Sequence, residues 1–232
     1  MGAVIDAGAA LERIEAHVRK AEENARLREG KIAEEAAARL GPALTLLDDS
    51  VSILEAAKTA EATAWIVVLA RDEGADKAIG LVRDEGWNAL GRPRQHPVME
   101  ETYPGGVRTY TAGPPQKQPT IMQVLNSRIA KVDAPQWKPE MRQAWIAKID
   151  AERLPYAEAL KAHEPLDAAL TVAEAGYRSA VRFAHARLTA FKRDLKNLGM
   201  TETQIHAIIP DANEDVPTPR KKVSGPTPPA DG

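Results

Sequence analysis

Apolar residues recur at alternating steps of three and four along two long stretches of the chain. In the first, Val4, Ala7, Leu11, Ile14, Val18, Ala21, Ala25 and Ile32 form a seam with one slot missed at Arg28. In the second, Leu166, Leu170, Ala173, Tyr177, Val181, Ala184, Leu188, Phe191, Leu195 and Leu198 keep nearly the same spacing, with an extra step of four between Tyr177 and Val181. A period near 3.5 places a narrow apolar stripe along one side of a long helix, and such stripes are buried against other long helices.

The pattern predicts a first helix over 4–40. Gly41-Pro42 is expected to end it and to start the next helix. That second helix carries Leu47, Val51, Leu54, Ala57, Ala60, Ala64 and Val68 on its stripe. Within it, Trp65-Ile66-Val67-Val68-Leu69-Ala70 is apolar around the whole circumference, which predicts enclosure on more than one side or a partner. A short buried strand competes for Ile66 to Val68, but the helical pattern runs into this stretch without a turn signal. The local repeat Arg71-Asp72-Glu73-Gly74 and Arg83-Asp84-Glu85-Gly86 marks an expected bend, since each glycine costs about 1 kcal/mol relative to alanine inside a helix.

Pro93 and Pro97 end helical structure. Residues 99–112, with Pro104-Gly105-Gly106 at their centre, read as a β-hairpin insertion. A short helix follows from Thr120 to about Lys131, and another from Pro139 to about His163 with an interruption near Pro155. Glu164-Pro165 opens the second heptad helix, which ends at Leu198-Gly199. Thr201 and Gln204 form a capping-box pattern for a last short helix.

The expected fold class is therefore mainly all-α: an elongated antiparallel bundle of coiled-coil hairpins. A single domain over 1–210 would comprise two αα-hairpin halves, 1–93 and 117–210, joined by an insertion over 94–116. Residues 211–232 hold five prolines and almost no apolar side chains, the composition of a disordered tail.

Composition narrows the function classes. Hydrophobic residues make up 44% of the 232 positions but aromatic ones only 4%, so the interior is alanine- and leucine-rich and suits closely approaching helices. Thirty-one basic against 33 acidic residues, interleaved along the helices, give a charge of −2 and no basic footprint for nucleic acid. Cysteine is absent, which removes disulfides and thiolate metal sites. No apolar run approaches the ~18 residues of a membrane span, and the N-terminus lacks the basic start of a signal peptide. Asp6 stands where a myristoylation motif wants Ser or Thr. The expectation is a cytoplasmic protein, or one exported by a signal-independent route.

Candidate chemistry is sparse. None of His17, His96, His163, His185 or His206 has a glutamate three residues before it, so the inward Glu-x-x-His pairs of a di-iron bundle are missing. His185, beside the seam, reads as a packing histidine. There is no P-loop, dinucleotide fingerprint, His-Glu-x-x-His or nucleophile elbow. No catalytic residue, metal ligand or cofactor site is predicted, and the chain reads as a non-enzyme.

The residues expected to make contacts are Trp65, Ile66, Val67, Tyr103, Arg108, Tyr110 and Trp137. Tryptophan and tyrosine bury large area at interfaces, and an extended insertion has little reason to exist for packing alone. Trp65 and Trp145 also read as core filling. The first functional reading is a structural or scaffold protein that self-associates or docks a protein partner through long helix faces, without membrane contact. The alternative is a membrane-acting helical protein such as a pore-forming toxin component, in which long helices surround a β-rich tongue, a resemblance in outline only.

Overall fold

The computed structural model describes residues 4–214 and 216, and these form an all-α fold. Seven α-helices succeed one another: α1 (Leu11–Arg26), α2 (Gly30–Ala89), α3 (Pro97–Thr102), α4 (Arg108–Thr111), α5 (Gln118–Lys131), α6 (Pro139–Asn197) and α7 (Glu202–His206), with a single 3-10 turn at Pro115–Lys117. They divide into two compact units. One comprises the described residues up to Glu55 together with those from Val172 onward, and the other is Ala56–Thr171.

The helix boundaries correct the sequence reading at three prolines, while the expected end of the helix before Pro93 holds, α2 stopping at Ala89. Pro42 lies inside α2, and Pro155 and Pro165 lie inside α6. A proline in a helix removes one hydrogen bond and frees the carbonyl four residues back. Here Pro42 and Pro165 are solvent-exposed and Pro155 is half-buried, while the residues bearing the freed carbonyls, Ala38, Ala151 and Lys161, are exposed to water that can satisfy them. The packed side is undisturbed: Leu40, Ala43 and Leu47 are buried in sequence across Pro42. Likewise the glycines at 74, 80 and 86 do not break α2.

The real break falls where the first seam misses its slot. α1 ends at Arg26, and the chain turns through Leu27, Arg28 and Glu29 with φ of +54° at Glu29 and +59° at Gly30. Residues 4–10 are not helical either. Asp6 accepts a hydrogen bond from the Gly8 amide (2.7 Å) in a local turn that buries Ile5.

In the first unit, α1 contributes Ile14, Val18, Ala21 and Ala25 to the core, and the start of α2 contributes Leu40, Leu47 and Leu54. The end of α6 adds Tyr177, Val181, Ala184, Leu188, Phe191 and Leu195, so most of the predicted second seam is buried, although Leu198 is exposed. Side-chain bonds tie the elements together. Tyr177 donates to Glu15 (2.9 Å), Arg39 pairs with Asp194 (2.6 Å), and His185, half-buried, donates through Nε2 to the Ile5 carbonyl (2.7 Å). Thr201 and Gln204 form the predicted capping box at the start of α7.

Of the predicted tail, 215 and 217–232 lie outside the described residues. Asp211 and Ala212 sit on α1, their carbonyls meeting His17 Nε2 (3.2 Å) and the Arg13 guanidinium (2.7 Å).

In the second unit the later part of α2 runs antiparallel to the first part of α6. Glu61 meets His163 (2.8 Å), Asp72 meets Tyr156 (2.7 Å), and Glu85 accepts from Trp145 (2.8 Å) and Lys148, so one index rises as the other falls. Ile79, Val82, Met122, Leu125, Ile129, Trp137, Trp145, Ile149 and Tyr156 form the core between these helices and α3 to α5.

The β-hairpin expected over 99–112 is absent. Among the described residues there is no strand, and α3 and α4 occupy that stretch. His96 caps α3 with Nδ1 accepting from the Val98 amide (3.2 Å), and Pro97 takes the first helical position. Gly105 and Gly106 do adopt left-handed φ of +78° and +84°, but they link two helical turns rather than two strands. Helical turns satisfy their own backbone, whereas a lone two-stranded hairpin is marginal in water.

Candidate functional site

The residues singled out from the sequence separate into buried and exposed sets. Trp137 is buried, donates its indole N–H to the Gly86 carbonyl (3.0 Å), and meets Trp145 edge to face at 5.0 Å. Tyr103 and Tyr110 are buried against each other, edge to face at 5.6 Å. The Tyr110 hydroxyl donates to the Thr102 carbonyl (2.9 Å), while the Tyr103 hydroxyl is sealed from solvent without a hydrogen-bond partner. Burial pushes the Tyr103 hydroxyl far above its ordinary pKa, so it stays a protonated donor. Arg108 is exposed, and Trp65 is half-buried against the His163 ring at 5.0 Å.

Ile66, Val67 and Leu69 point away from the core, with 66%, 47% and 46% of their surface exposed. Only Val68 of this run is fully buried. A large aliphatic side chain is worth about 1.5–3 kcal/mol when fully buried, so covering the exposed parts of these three would contribute roughly 2–5 kcal/mol.

Val67 belongs to a second ladder. Ala56, Ala60, Thr63, Val67 and Ala70 are all exposed and fall at alternating steps of four and three along α2. On α6, Ala162, Pro165 and Ala169 are exposed at the same spacing. Val67 precedes core residue Val68 by one position, and Ala162 stands in the same relation to His163. On two antiparallel helices, positions one before the core flank the shared seam on the same side. The two ladders therefore line one side of this helix pair, and none of their eight residues is charged. The Thr63 hydroxyl is bonded within the helix to the Thr59 carbonyl (2.7 Å), so it presents its methyl group outward at little polar cost. Glu55, Lys58, Glu164 and Asp167 occupy other positions around the same helices, whereas exposed Arg71, four residues after Val67, and exposed Glu158, four residues before Ala162, border the ladders.

The sequence reading missed this ladder because it placed Ala60 on the core stripe and treated the surplus of apolar residues at 65–70 as uniform around the helix. The signal was present as a second three-four repeat offset from the first.

Polar chemistry in the second unit centres on Asp72, Asp76 and Tyr156. Tyr156 donates to Asp72, and Asp76 has one buried carboxylate oxygen without a hydrogen-bond partner. Burial, and then the neighbouring Asp72 charge, push Asp76 up to about 6. Among the described residues no group of three or more His, Asp or Glu side chains is arranged to hold a metal ion, and no helix is long and apolar enough to cross a membrane. Compared with protein-family models, curated proteins and solved structures, the chain matches none.

Proposed function

We propose that this chain is a non-enzymatic helical scaffold that self-associates through the small-residue face of α2 and α6 in the second unit. The observation that carries this reading is the exposure of Val67 on a ladder of small uncharged residues, Ala56, Ala60, Thr63 and Ala70, with exposed Arg71 and Glu158 beside it. Exposed helix faces normally carry interleaved charge, and contiguous apolar exposure marks a contact surface. A second copy is the occupant favoured. The alanines of the ladder allow the backbones of an identical pair to approach closely while Val67 fills the gap between them. An isologous contact of this kind closes on itself.

Co-expression of two differently tagged copies tests the reading. Each tag should retrieve the other copy, and Val67→Asp in both copies should abolish retrieval without loss of helicity. Failure of the wild-type copies to associate would refute it. The pore-forming alternative placed its tongue at Thr102 to Tyr110, a stretch that turns between α3 and α4 without forming strands, and no observation favours it.

A further inference from the structure

We propose that a second copy docks on this face with its α6 over α2 and its α2 over α6, so that Arg71 of each copy pairs with Glu158 of the other. The inference rests on the self-association reading and specifies how the two copies meet.

The face extends beyond the small-residue ladders. On α2 it continues past Val67, at steps that keep to one side of a helix, through Arg71 and Gly74 to Leu81. Leu81 precedes the core residue Val82 as Val67 precedes Val68. On α6 it runs back from Ala162 through Glu158 and Leu154 to Ala147. Leu81 and Leu154 are 53% and 54% exposed. With Val67 they are three large aliphatic side chains left in water on one side of the helix pair, and apolar exposure gathered in this way marks a contact surface.

Arg71 and Glu158 are the only charges on these two series, one base and one acid, and neither pairs with another side chain among the described residues. Asp72 meets Tyr156 and Glu85 meets Trp145 across the antiparallel helices, which sets Arg71 level with Glu158 to within about one turn. In the same register Val67 stands level with Ala162, Gly74 with Leu154, and Leu81 with Ala147. Each large aliphatic side chain on one helix is therefore level with a small residue on the other.

A two-fold axis can join two such faces in two ways. An axis running along the helices lays α2 on the α6 of the second copy and keeps every level. Val67, Leu81 and Leu154 then each meet a small residue, and both Arg71–Glu158 contacts form. An axis running across the helices lays α2 on α2 and α6 on α6. Arg71 then faces a series without an acid and Glu158 a series without a base, and charges taken out of water unpaired are costly. The charges therefore select the first arrangement.

Sedimentation equilibrium of the full chain tests it. Arg71→Glu and Glu158→Arg should each weaken association about 10-fold or more, because each sets two like-charge contacts in the interface, and the double variant should return to within about 3-fold of wild type. Both positions are exposed in the single chain, so all three variants should keep the wild-type circular dichroism. The chain has no cysteine, so Leu81→Cys and Ala147→Cys place single thiols. Mixed and oxidised, these two variants should cross-link to each other. A wild-type oligomer that tolerates either single reversal, that the double variant fails to restore, or that gives no mixed cross-link would overturn this arrangement while leaving self-association standing. A wild type that stays a single chain at every concentration would overturn both.

Discussion

Three glycines of α2, replaced singly by alanine, should give three different outcomes from one chemical change. Alanine in place of a helical glycine stabilises by about 0.5–1 kcal/mol wherever there is room for the methyl group. At Gly80 an added Cβ meets nothing within 4 Å, so Gly80→Ala should gain the full amount. At Gly74 the nearest atom is Glu152 Oε2 at 2.8 Å, the free end of a flexible side chain that can swing aside, and the gain should shrink toward zero. At Gly86 the added carbon would lie 2.9 Å from Cζ2 of Trp137. That indole cannot yield: it is buried, bonded through Nε1 to the Gly86 carbonyl, and braced by Trp145. Overpacking a filled core costs about 1–3 kcal/mol, so after the helix gain is subtracted Gly86→Ala should be destabilised by roughly 1–2 kcal/mol. Urea denaturation followed by tryptophan fluorescence and by circular dichroism measures the series. If Gly86→Ala proves as stable as Gly80→Ala, Trp137 is not seated against the backbone of α2, and the packing described for the second unit is wrong.

Asp76 sets a pH dependence. Its pKa is raised from 3.8 to about 6, so the folded state binds this proton more tightly than the unfolded chain does. The stabilisation is complete below the unfolded value and is lost as pH rises through about 6, where the charge becomes a liability of at most ~3 kcal/mol, reduced by the partial access of water. Asp76→Asn should therefore gain stability relative to wild type between pH 5 and pH 8 in paired denaturation curves, and an equal effect at both pH values would sink the idea. Truncation after Val216 removes only proline-rich polar sequence and should leave the melting temperature unchanged. Truncation after Pro210 also removes the carbonyls that meet His17 and Arg13 and should lower stability by about 1–2 kcal/mol; if the two truncations melt alike, those contacts do not hold the segment to α1.

The long helices were legible because seam residues such as Leu188, Phe191 and Leu195 combine a 3.5-residue repeat with large side chains that have nowhere to go but a core. Their boundaries were less legible. Proline reads as a stop from sequence because its cost is local, but whether that cost is tolerable depends on which side of the helix it faces. Pro42 and Pro165 face water, and the sequence pattern around them continues unbroken on the other side. Conversely, the break at Leu27 to Gly30 left its mark as a missed slot at Arg28, which was visible but outweighed by the Gly-Pro pair. The hairpin expectation failed because Pro104-Gly105-Gly106 specifies a reversal without specifying what it reverses, and the tyrosines on either side pack against each other equally well from helical turns. The candidate face was half legible: Ile66 and Val67 stood out as surplus hydrophobes, but the alanines that extend the face carry too little apolar weight to be noticed alone.

The molar mass in solution, by multi-angle light scattering of the full chain and of Val67→Asp at matched concentrations, tests self-association most directly. The wild type should give a multiple of 25.1 kDa that falls on dilution, and Val67→Asp, with unchanged circular dichroism because position 67 is exposed in the single chain, should give 25.1 kDa. A wild-type mass of 25.1 kDa at every concentration, or an oligomer indifferent to the added charge at 67, would contradict the role assigned to this face.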